Sequence, residues 1–141
     1  MKNRIFYLTL LLFALTSCTK NNQTSTTRLN ETIPPDTVTA RSEGVFINGP
    51  YGKVTGNAVL HLQSGQYTLA LENVVISNGP DLHVYLSKEI QPVNFIDLGK
   101  LKSTAGNQLY IITGTPDFSI YKYALIHCQQ YNHLFGSASL K

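Results

Sequence analysis

The chain has 141 residues, 43% hydrophobic and 13% charged, with 2 cysteines and a formal net charge of +3. That composition suits one folded domain and excludes a disulfide-stapled scaffold. It also excludes a nucleic-acid binder. Once Lys2 and Arg4 leave with the leader described next, 9 basic residues (11 less 2) face 8 acidic ones, and no Lys or Arg cluster remains.

Lys2 and Arg4 precede an apolar run from Ile5 to Ala14, half the roughly 20 residues that a spanning helix needs. An uncleaved membrane anchor is the other reading of this run, and its length argues against it. The tetrapeptide Leu15-Thr16-Ser17-Cys18 follows and resembles the lipobox of bacterial lipoproteins. The resemblance implies a signal peptide over 1–17, a diacylglycerol thioether on Cys18, an acylated (palmitate-type) amino terminus, and the lipid bilayer as a partner. Thr19, Lys20, Asn21 and Asn22 lack the Asp of an inner-membrane retention signal. The expected location is therefore the outer membrane, facing the periplasm.

Residues 18–43 are polar, rich in Thr, Asn, Ser and Gln, and include Pro34-Pro35. Such a stretch lacks the apolar area to offset the entropy of ordering it and reads as a flexible linker. Residues 44–141 form the domain, long enough for one core. Ala58, Leu60 and Leu62, then Tyr67, Leu69 and Leu71, alternate with other side chains on either side of Ser64-Gly65, which predicts a β-hairpin. Leu82, Val84 and Leu86 repeat the alternation after Asn78-Gly79-Pro80, and 95–98, 109–112 and 123–128 add short apolar runs. One helical turn is predicted over 118–122, after Pro116-Asp117. Many short strands at near-regular spacing predict an all-β domain, an antiparallel sandwich or small barrel.

Three segments together resemble the electron-transfer DM-thirteen domain. They are Gly79-Pro80-Asp81-Leu82-His83-Val84-Tyr85-Leu86-Ser87, Ile96-Asp97-Leu98-Gly99 with Leu101-Lys102 and Gly106-Asn107-Gln108, and Tyr121 to Cys128 with Tyr131 and Leu134-Phe135-Gly136. The resemblance implies an all-β fold and a characteristic cysteine, here Cys128, acting as a bare redox thiol or as ligand to a group such as non-covalently held haem. It also implies a redox partner in the envelope. Two positions depart from the pattern: His127 stands where Trp is common, and Ser139 where Pro is common.

With Cys18 consumed by lipid, Cys128 is the only thiol of the mature chain in an oxidising compartment. Four readings are open for it: a small buried hydrophobe, a prosthetic-group ligand, a redox or mixed-disulfide thiol, and a hydrolytic nucleophile. Strand alternation puts Ala124, Ile126 and Cys128 on one face and Leu125 and His127 on the other. His83 is the candidate partner of Cys128. Asp81, two residues away on the same face, is placed to hold one of its ring nitrogens, and the alternative is a histidine bonded into the fold. His127, Cys128 and His133 do not match a metal spacing, and the Cys-x-x-Cys-His signature of covalent haem is absent. A tyrosine-rich sheet face would suit carbohydrate or peptide recognition. The leading expectation is a membrane-tethered redox or electron-transfer module. Its competitor is a non-catalytic binding or structural envelope module with Cys128 in the core, and an ordinary enzyme ranks third.

Overall fold

Period-two alternation dictates most of what forms. The computed structural model describes residues 23–34 and 39–141; the leader and Cys18 lie outside the described residues. Among those described, nine strands and no helix occur: β1 Leu29–Asn30, β2 Thr39–Asn48, β3 Val54–Gln63, β4 Gln66–Ile76, β5 Leu82–Ser87, β6 Phe95–Lys100, β7 Ala105–Ile112, β8 Tyr123–Cys128 and β9 His133–Ser139. The predicted hairpin is β3–β4, closed by the pair Gln63 and Gln66. The predicted turn at 118–122 is a single turn, with Asp117 Oδ1 accepting the Ser119 N–H at 2.9 Å.

The strands make one sheet in the order β1-β7-β4-β3-β2-β9-β8-β5-β6, antiparallel except for β1 on β7. The sheet curls because β2 serves both halves. Its first part pairs with β3, and Phe46, Ile47 and Asn48 pair with β9. The halves thus face each other across one core. Leu60, Leu69, Leu71 and Ile112 come from one side and Leu82, Val84, Leu86, Ala124 and Ile126 from the other. Burying each large aliphatic side chain contributes about 1.5–3 kcal/mol, so this cluster is the main source of stability.

The linker expected over 18–43 is in part folded onto the domain. β2 begins at Thr39, and the segment from Ser25 to Glu31 is bonded along the edge that runs from Ser103 to Leu109. The reason is the sheet edge, which would otherwise present unpaired backbone groups. Glu31 N–H donates to Asn107 O at 3.0 Å, and Thr104 N–H donates to Ser25 O at 2.8 Å. The Glu31 carboxylate accepts from Leu109 N–H at 2.8 Å and from Lys102 Nζ at 2.7 Å. Burial alone would raise the Glu31 pKa, but Lys102 and the Leu109 amide outweigh it and hold the carboxyl below its ordinary value. Gly106 makes the close approach possible. It sits at φ +101°, and a Cβ there would collide with the Leu29 carbonyl.

Candidate functional site

Cys128 ends β8 with its side chain in the core, on the same face as Ala124 and Ile126, as alternation predicts. It is a free thiol, 1% exposed. Its S–H donates to the Pro80 carbonyl, with Sγ 2.9 Å from the oxygen. The turn that carries Pro80 is pinned from both sides. Gln129 N–H donates to Asp81 O at 3.0 Å, and Gln23 bridges to Pro80. Asp81 holds this turn at φ +56°. Gln129, the residue after Cys128, is exposed, so the thiol lies one residue from an exposed turn.

His83 belongs to the opposite face. In register Leu82 stands across from Cys128 and His83 across from His127, so the two histidines share the outer surface of the β5–β8 pair. The structure therefore does not bring His83 to the Cys128 sulfur. The group that orients His83 comes from β6: its Nδ1 lies 2.9 Å from Asp97 Oδ2 and 3.1 Å from Oδ1. Asp81, chosen from sequence for that task, stands 3.4 Å from Nε2 and is bonded instead to Lys100 Nζ at 3.0 Å. The Lys100 hydrogen bond holds the Asp81 carboxyl below its ordinary range, and the Lys100 and His83 charges add to the effect. Asp97 is in register with Tyr85, and the irregularity between His83 and Tyr85 lets it reach back to His83. Gly99 at φ +111° forms that kink and donates its N–H to Asp97 Oδ1 at 2.8 Å. The glycine after Ile96-Asp97-Leu98 was the one sequence signal of this arrangement.

Tyr85 lies between the histidines, its ring 5.2 Å from His127 and 6.1 Å from His83, and Phe95 stacks on it at 4.3 Å. Burial, with the Asp97 charge behind it, pushes the Tyr85 phenol up. His127 is 3% exposed, and neither ring nitrogen makes a hydrogen bond. Burial holds it below the ordinary histidine value. Asn132 stands near enough to oppose that without a hydrogen bond of normal geometry, while His133 and His83 reinforce it. Tyr85, Leu125 and Leu134, with Tyr123 packed against them, make a second small cluster on the outside of the sheet. Tyr85 and Tyr110 are buried, and Tyr51 and Tyr131 are exposed together at one end, so the tyrosines do not line one sheet face.

A haem does not fit around Cys128 as it stands. Iron ligation needs an open thiolate, whereas this sulfur is enclosed by side chains and spends its proton on a carbonyl oxygen that would repel a thiolate. Among the described residues no group of three or more His, Cys, Asp or Glu side chains is arranged to hold a metal ion.

A curled all-β sheet with a single thiol under a Gly-Pro-Asp turn defines a small one-cysteine β-domain. The family model for electron transfer DM13 matches residues 46–140, and the chain belongs to that family. No curated protein and no solved structure matches the chain.

Proposed function

We propose that this chain is a lipid-anchored electron-transfer module of the cell envelope, held to the outer membrane through acylated Cys18 and facing the periplasm. In this reading Cys128 is a gated redox thiol. The family supports the electron-transfer role, and the lipobox-like Leu15-Thr16-Ser17-Cys18 supports the anchor. The observation that carries the thiol is its cover: Cys128 Sγ is bonded to Pro80 of a surface turn and sits next to exposed Gln129.

When the 79–81 turn lifts, the S–H···O bond breaks and the thiol can lose its proton to water. The thiolate attacks one sulfur of a disulfide on an envelope partner. The partner's S–S bond breaks, its other sulfur leaves as a thiolate and takes up a proton, and a mixed disulfide remains. A second thiol then attacks the partner's sulfur and frees Cys128. Across the cycle the second thiol's sulfur is oxidised into a new disulfide with one partner sulfur, the other partner sulfur is reduced to a thiol, and Cys128 is unchanged.

The test is maleimide labelling of folded, acylated protein, with a visible spectrum taken before and after dithionite. Labelling of Cys128 faster than global unfolding is expected. Labelling that only tracks unfolding, together with no visible chromophore, removes the redox reading.

A second reading has its own observation, the 1% exposure of Cys128 inside the aliphatic core. There the thiol only fills volume, and the protein is a binding or structural module. Its mark is Cys128→Ala with unchanged cellular function and a modest loss of stability, about 1–2 kcal/mol for a small cavity and one lost hydrogen bond.

A further inference from the structure

We propose that one end of this domain lies against the lipid bilayer, and that a lipid surface is the partner this end fits. The end is formed by the β2–β3 loop, the β4–β5 turn over Cys128 and the β8–β9 turn. The inference rests on the Cys18 lipidation proposed above and adds the orientation of the domain.

The first argument is chain length. The domain takes hold of the chain at Gln23, where Asn78 Nδ2 donates to Gln23 Oε1 at 2.8 Å and Gln23 bridges to Pro80. Hydrogen bonds to Ser25, Thr27 and Glu31 then fix the following residues along β7. Four residues lie between Cys18 and Gln23, and the five backbone steps across them reach at most about 18 Å. A linker free through residue 43 would reach about 85 Å and leave the domain unoriented. The opposite end is out of range. β7 alone has 8 residues, and at about 3.3 Å each they put about 26 Å between the two ends.

The second argument is independent of the tether. Tyr51, 57% exposed, and Tyr131, 56% exposed, both stand at this end and flank His133, at ring separations of 3.7 and 5.9 Å. Tyrosine suits the bilayer interface because its ring is apolar and its hydroxyl remains wet. The far end carries its own exposed apolar residues, Ile90 and Val93 of the β5–β6 loop and Ile120. On hydrophobicity alone that end would compete; the short reach from Cys18 decides against it.

The experiment uses the full acylated chain in phosphatidylethanolamine–phosphatidylglycerol vesicles containing a headgroup-attached quencher. A Cys128→Ala background carries a fluorophore on either Gln130→Cys, at the proposed membrane end, or Gln91→Cys, at the far end. Several-fold stronger quenching at position 130 is expected. Equal quenching, or stronger quenching at 91, overturns the orientation. If either label disturbs the fold by circular dichroism, Pro50→Cys against Thr115→Cys repeats the comparison. Mass spectrometry and vesicle flotation separate the two levels of failure. An unacylated protein that does not float removes the anchor and the orientation together, whereas an acylated, floating protein with equal quenching removes the orientation alone.

Discussion

Replacing His127 with leucine should make the protein more stable, and more so in mild acid. The wild-type ring is 3% exposed and neither nitrogen has a hydrogen-bond partner. A buried polar group in that condition costs about 1–3 kcal/mol, so a leucine of similar volume should gain about 1 kcal/mol at pH 8. The sign of the pH effect follows from the depressed folded pKa. Below about pH 6.5 the unfolded histidine takes up a proton that the folded one refuses. Stability that the wild type holds above the unfolded pKa is therefore lost as pH falls toward the folded value, at up to about 1.4 kcal/mol per unit. His127→Leu lacks that loss, so its advantage should widen between pH 8 and pH 5. Glu31 and Asp81, both held below their ordinary values, stay charged across this window and do not confuse it. Urea unfolding at the two pH values measures the difference directly. A leucine variant weaker than wild type by the same amount at both would show that the imidazole has a partner, and the reasoning would fail.

Gly106→Ala should detach the amino-terminal segment from β7, because its Cβ collides with the Leu29 carbonyl and φ is +101°. Faster proteolysis within 23–34 and a loss of about 1–3 kcal/mol are expected, and an unchanged cleavage pattern would contradict the docking. Asp97→Ala removes both contacts to His83 Nδ1 and the Gly99 N–H acceptor. About 1 kcal/mol should be lost in urea unfolding, discounted because the carboxylate is partly exposed. In Tyr110→Phe the hydroxyl that donates to Gln108 Oε1 at 2.9 Å and accepts from Lys102 N–H at 3.0 Å is gone, which should cost about 1–2 kcal/mol. Burial raises the Tyr110 phenol well above the ordinary range, so the same variant should leave the tyrosinate absorbance step near pH 10 unchanged in an alkaline titration.

The hairpin β3–β4 and strands β5 and β8 were legible because their apolar residues alternate and point to one core. β1 was not, since its two residues are Leu and Asn and what holds the segment is backbone pairing and one glutamate. β2 was obscured differently: Val45 and Ile47 face outward while Phe46 between them is buried, so most of this apolar run marks the wrong side. β9 carries Gly136, Ser137 and Ser139, and an irregular register lets Leu134 join the outer cluster while Phe135 enters the core. At the site, alternation separated Cys128 from His127 correctly. The His83–Asp97 contact depends on a backbone kink that displaces the register, and periodicity does not encode such a shift.

The pairing of Phe46 with Ala138 joins residues near opposite ends of the domain. Neither half of the molecule can seal its interior until that late partner arrives, so local hairpins form first and closure waits on the longest loop. While it folds, the chain should therefore pass through an open sheet with sticky inner surfaces. Truncation just before residue 138 should produce a holdase client rather than a smaller domain.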